Sequence, residues 1–192
     1  ATPRNSYGLH SGFFGSKYSD MMKFAIMWEN ENGTRCSGIE DFEKNVLPYW
    51  MEYYFKDKRY LVVDNKPVLA IYGHDAMVST FKSETEVKKV YELIDRECKK
   101  EGFDGVYIIM QSRSKNPETL KRIRDTGADA TFHYTTGTID INNQMSQFEK
   151  QRDAGRFDDG NIDSIASPGM GYNPECWGGA DNSGFMTPDD QK

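Results

Sequence analysis

The stretch MKFAIMWENEN, residues 22–32, changes character in its middle. Phe24, Ala25, Ile26, Met27 and Trp28 are apolar at successive positions, the pattern of a strand covered on both faces. Glu29, Asn30, Glu31 and Asn32 follow with no turn residue between. A core strand that delivers carboxylates and amides from its C-terminal tip is the way a parallel α/β sheet presents a site.

The rest of the chain repeats the arrangement. Residues 40–55 predict a helix with Phe42, Val46, Tyr49, Trp50 and Tyr53 on its apolar side, and Pro48 predicts a kink or break within it. YLVVDNKPVLAIYG predicts an edge strand, a turn at Asp64-Asn65 and a buried strand from Pro67 to Tyr72. Ser83 and Glu86 form a capping box for a helix that runs to about Glu101. Val87, Val90, Tyr91, Ile94 and Cys98 make its buried stripe, and Gly102 its stop. GVYIIMQS, 105–112, is the next buried strand. Asn116 caps and Pro117 starts a helix that Gly127 ends. Residues 128–135 read as a strand, 142–154 as a helix and 161–169 as a strand. The expectation is α/β architecture with about five parallel core strands and helices outside. Polar and aromatic residues recur at the C-terminal strand ends, which favours a barrel over an open sheet. A complete (β/α)8 barrel needs eight strands and about 250 residues, so a partial TIM-barrel-like domain over 1–192 is expected.

Composition narrows the function. The 192 residues include 13% aromatics and carry a formal net charge of -6, with no basic run to hold nucleic acid. No apolar stretch reaches the roughly 18 residues of a membrane span. Metal-ligand spacing, a phosphate-binding glycine loop and a nucleophile elbow are all missing from the pattern, so no metal or cofactor is expected. Cys98 falls on a helix stripe, whereas Cys36 and Cys176 lie in loops where they could pair.

Three segments resemble a known family: KFAIMWENEN, PYWMEYYFKDKRYLVVDNKPVLAIYG and SIASPGMGYNPECW look like the glycoside hydrolase family 99-like proteins, with WbsX-like polysaccharide proteins and more distant endo-α-mannosidases. The resemblance extends over residues 9–190. It implies a (β/α)8 barrel acting on a glycan or polysaccharide, with first and last strands beyond this chain and a secreted or periplasmic setting. The matching strand of endo-α-mannosidases is followed by their catalytic glutamates, which implies a retaining mechanism. WbsX-like relatives read Trp-Ala-Asn-Glu-Asn here, so Glu31 matches theirs and Glu29 replaces an alanine. The His-Ile-Glu-Pro-Tyr string of true endo-mannosidases does not occur.

Glycoside hydrolysis uses two carboxyl groups that flank the scissile bond. Glu31 and Glu29 are the candidates. In an extended strand they would share a side at roughly 6.6 Å, between the retaining and inverting separations. Crowding by Glu29 would suit Glu31 to act as an acid near neutral pH. Trp28, Tyr72, Tyr134, Tyr172 and Trp177 offer flat faces for sugar rings. Asn30, Gln111 and His133 offer groups for hydroxyls. The other reading open at this point is a non-catalytic carbohydrate-binding or polysaccharide-assembly protein on the same scaffold. Unpaired strand edges near Ile26 and Ile165 would invite self-association.

Overall fold

A computed structural model of the chain describes residues 7–31, 36–134 and 140–169. The strands are β1 (Ile26–Trp28), β2 (Val62–Val63), β3 (Lys66–Ile71), β4 (Tyr107–Gln111), β5 (Ala130–Phe132) and β6 (Asp163–Ser164). Their order in the sheet is β1-β3-β4-β5-β6, with β2 paired to β3. β1 runs parallel to β3 in the register Ile26 with Leu69, and β5 runs parallel to β6 in the register Ala130 with Asp163. Parallel strands adjacent in chain order, with helices in the connections, are the order found in part of a (β/α)8 barrel. The chain forms two compact units, Ala1–Ile109 and Met110–Lys192.

In the first unit, β2 and β3 form the hairpin read from the sequence. Asp64 and Asn65 have φ of 47° and 55°, the paired left-handed residues of a tight hairpin turn. The register Val63 with Lys66 leaves those two residues as the whole loop. Helix α1 (Ile39–Asp41) continues without a break into α2 (Leu47–Trp50) through a wide π-type turn, Phe42–Val46, and a second wide turn, Met51–Phe55, follows. The widened turn absorbs Pro48, which has no N–H to give to a regular helix. It also rotates the apolar side. Phe42, Leu47, Trp50, Met51, Tyr54 and Phe55 are buried, while Tyr53, expected on the stripe, is 49% exposed and packs its ring on Tyr49. A regular 3.6-residue period does not anticipate that shift.

β1 also departs from expectation. Met27 is 39% exposed and Ile26 and Trp28 are only half-buried. The apolar run marked a strand correctly, but β1 ends the sheet order and pairs with β3, so it is not covered like an interior strand. The strand expected over 161–169 contracts to Asp163–Ser164.

Helix α3 (His74–Phe81) stops at Lys82, whose φ of 80° is left-handed. Helix α4 (Glu84–Lys100) starts on Ser83, whose Oγ accepts from the Glu86 N–H at 3.2 Å. The whole expected stripe of α4, Val87 to Cys98, is buried, and burial pushes the Cys98 thiol up to about 12. Cys36 is a buried free thiol, and Cys176 lies outside the described residues. Lys82→Gly removes the steric cost of a side chain in the left-handed region. It should stabilise the protein by about 0.5–1 kcal/mol, read as a higher urea midpoint at unchanged slope.

In the second unit, helix α5 (Pro117–Asp125) is capped by Asn116, whose Oδ1 accepts from the Glu118 and Thr119 N–H groups. Gly127 leaves it at φ 106°. Helix α6 (Ile141–Ala154) is capped by Asp140 in the same way.

Candidate functional site

The segment after β1 builds a corner. The strand ends at Trp28, and the chain bends at Glu31. Glu29 Oε1 accepts from the Glu31 N–H at 3.2 Å, closing a turn between the two acids. Asn30 points the other way and has no exposed surface. Its Nδ2 donates to the Gly73 carbonyl at 3.0 Å, and its Oδ1 accepts from the Gly73 N–H at 3.1 Å. The Tyr72 N–H donates to the Trp28 carbonyl at 3.0 Å. The side chain of Asn30 thus extends the ladder between β1 and β3 by one more pair. Each such bond is worth about 0.5–1.5 kcal/mol net, and each buried group left without one costs more.

This locks the geometry of the acids. Glu29, Glu31 and Tyr72 are half-exposed on the edge that Asn30 pins from beneath. Gly73 has ordinary extended dihedrals, so its glycine is explained by a close approach: a Cβ there would lie 2.9 Å from Glu31 Oε1 and 3.3 Å from the Ala76 Cβ. Gly73→Ala should therefore displace the Glu31 carboxylate while sparing the fold. We expect thermal unfolding to shift by a few degrees at most, with the Glu31 side chain moved in a crystal structure of the variant. An unmoved Glu31 carboxylate would show that the close approach does not set its position.

Trp28, expected to stack on sugar, sits in an aromatic cluster. Its ring lies 5.5 Å from Phe42, 5.4 Å from Trp50 and 6.4 Å from Phe81. It anchors the strand from which the acids leave. Sequence reasoning passed over His74, which is buried directly after Gly73 with Nε2 3.5 Å from Glu84 Oε1. The signal available for it was its place after a strand-tip glycine at a helix start.

In the second unit, Gln111 ends β4 and is half-buried. His133 follows β5 and is 6% exposed, and Tyr134 beside it is 47% exposed with its ring edge-on to Phe132 at 5.8 Å. Burial holds the His133 imidazole below its usual pKa, and the charges of Arg113 and Lys115 push the same way. The two strand tips are joined by the Ser112 N–H, which donates to the Phe132 carbonyl at 2.8 Å. Two buried glutamines of α6 hold the neighbouring loops. Gln151 Nε2 donates to the Ser112 and Ser114 carbonyls, and Gln144 makes paired bonds to the Gly169 N–H and carbonyl. The sequence reading missed both, because a glutamine inside a helix carries no local mark of burial.

The corner of the first unit thus gathers Trp28, Glu29, Asn30, Glu31 and Tyr72, while Gln111, His133 and Tyr134 stand on strand tips of the second. Tyr172 and Trp177 lie outside the described residues. Among the described residues, no group of three or more His, Cys, Asp or Glu side chains is placed to hold a metal ion, and no helix is long and apolar enough to cross a membrane.

No curated protein and no solved structure matches the chain. A family model described as glycosyltransferase WbsX matches residues 14–172, a span that contains both strand-tip groups. That family is related to the family 99-like endo-α-mannosidases and is carbohydrate-active. The chain belongs to the WbsX glycosyltransferase family.

Proposed function

We propose that the protein cleaves glycosidic bonds in a polysaccharide or glycan as a family 99-like hydrolase. Glu31 acts as the acid and base, and Glu29 as the carboxylate that stabilises or attacks the anomeric carbon. The observation that carries this reading is the corner itself. Two carboxylates are held two residues apart at a C-terminal strand end, about a backbone turn that one of them closes, in a chain of a carbohydrate-active family. A glycosidic oxygen is a poor leaving group until it is protonated, and the positive charge that then develops on the sugar ring needs a carboxylate beside it. A pair of acids supplies both.

In this reading Asn30 is a positioning residue, because its amide is spent on Gly73. Tyr72 borders the acids. Gln111, His133 and Tyr134, and likewise Tyr172 and Trp177, serve in this reading as sugar-binding residues of the second unit, considered by itself. The strand edges of β1 and β6 are the surfaces through which copies would associate.

The family description favours a second reading, transfer of a sugar to another sugar during polysaccharide assembly. The two readings differ in the acceptor, water or a sugar hydroxyl. Incubating the protein with a panel of α-linked oligosaccharides and resolving products by mass separates them. New reducing ends equal in number to bonds broken support hydrolysis. Longer products at the expense of shorter ones support transfer. Binding with no product in either direction would leave a carbohydrate-binding protein.

A further inference from the structure

Helix α6 carries amides where a packed helix carries apolar side chains. Gln144, Gln147 and Gln151 stand at i, i+3 and i+7, one face of a regular helix. The side chains that α6 buries are those of Gln144 and Gln151. Ile141 and Met145 are exposed, and Phe148 is half-buried. The other long helices are held differently: α5 buries Leu120 and Ile123, and α4 buries Val87, Val90, Leu93 and Ile94.

Each glutamine fastens a segment outside the helix. Gln151 Nε2 donates to the Ser112 carbonyl at 2.8 Å and to the Ser114 carbonyl at 3.1 Å, and Gln147 Oε1 accepts from Lys115 Nζ at 3.3 Å. Gln144 Nε2 donates to the Gly169 carbonyl at 2.9 Å, and its Oε1 accepts from the Gly169 N–H at 2.8 Å. One helix face holds both the loop after β4 and the segment after β6. Water replaces such bonds when a helix lifts, so their net contribution is modest, whereas buried apolar area has no substitute in water. Gln151 also adds a cost to the closed arrangement, because its Oε1 is buried with no hydrogen-bond partner among the described residues. Opening lets water complete that oxygen.

The two ends of α6 are held unequally. At the C-terminal end, a Cβ on Gly155 would meet the Ile162 carbonyl oxygen at 2.8 Å, and the Ile162 N–H donates to the Gly155 carbonyl at 3.0 Å. Ile162 is itself buried. The loop between them is tied to α5, where Arg124 donates to the Asp159 carboxylate and the Gly160 carbonyl and stacks on Phe157. The rest of the helix is fastened through its glutamines.

We propose that α6 is a latch. It opens as a unit, pivoting at Gly155, and in opening releases the loop after β4 and the segment after β6 together. The C-terminal ends of those two strands are then assembled or loosened in one step. The latch belongs to the second unit alone and does not rest on the glycan reading.

Hydrogen exchange of the 192-residue protein, resolved to single amides, tests it. In the wild-type chain the amides of α6 and the Gly169 N–H should exchange through one opening, with the same urea dependence, and about tenfold or more faster than the core amides of α5. Gln151→Ala removes bonds to residues 112 and 114, yet it should speed exchange at Gly169 as well as in α6, by about tenfold. Gln144→Ala should do the converse and speed exchange at the Ser114 N–H, which donates to Ser112 Oγ at 3.2 Å. The α5 amides should be unchanged in both variants, which shows that the unit has not unfolded. Faster exchange confined in each variant to the segment that its own glutamine touches would overturn the latch. So would wild-type α6 amides as protected as those of α5, a result that needs no variant to fold.

Discussion

Glu31→Gln should lower the turnover of a cleaved glycan by about 10²-fold or more while leaving its binding largely in place. The substitution keeps the shape of the side chain and its hydrogen-bonding reach but removes the transferable proton. A general acid typically contributes 10²–10⁴-fold, so the loss should appear in kcat rather than KM. The backbone does not depend on the Glu31 carboxylate for the turn, since it is Glu29 Oε1 that accepts the Glu31 N–H. Glu29→Gln retains an amide oxygen able to accept that bond, so its effect reads the charge at Glu29. The two variants together separate the chemistry from the architecture. If both cleave at the wild-type rate, the pair is not catalytic.

Phe42→Ala should destabilise the first unit by about 3–5 kcal/mol, the usual cost of removing a buried phenyl ring. Phe42 has no exposed surface, and its ring packs against Trp28 at 5.5 Å, Trp50 at 5.4 Å and Phe81 at 6.0 Å. Deleting it opens a cavity that three rigid rings fill poorly, and part of the cost is the edge-to-face geometry with Trp50 and Phe81. Against a total stability typically of 5–15 kcal/mol, the loss is large enough to bring unfolding near the assay temperature. Trp28 would lose its support as well, so the acids on its strand would be held less firmly. The check is the guanidinium unfolding midpoint followed by tryptophan fluorescence. A shift equivalent to less than 1 kcal/mol would mean that the cluster is looser than its ring contacts indicate.

What the sequence made legible was local. Asp64-Asn65 announced its hairpin because short polar residues tolerate positive φ. Ser83, Asn116 and Gly127 marked helix ends because each side chain, or its absence, meets a backbone requirement within a few residues. The α4 stripe was legible because a regular period carries it. The misses have non-local causes. Met27 is exposed because of where β1 falls in the sheet order, which an apolar run does not encode. Tyr53 is exposed because two wide turns shift the helix phase, and nothing but Pro48 hinted at them. Around the site, the strand-tip position of the acids was readable, whereas their turn and the inward face of Asn30 were not. Asn30 is buried by a glycine 43 residues away, a pairing set by the register of β1 on β3. Gln144 and Gln151 latch loops at similar distances and left no trace in a one-dimensional pattern.

The most direct test of the central claim is a crystal structure of Glu31→Gln with an uncleaved oligosaccharide bound. The sugar chain should lie across the corner made by residues 29–31 and 72–73, with a glycosidic oxygen within about 3.2 Å of the side chain at position 31 and an anomeric carbon facing Glu29. An oligosaccharide bound away from this corner, with both positions left in solvent, would contradict the account.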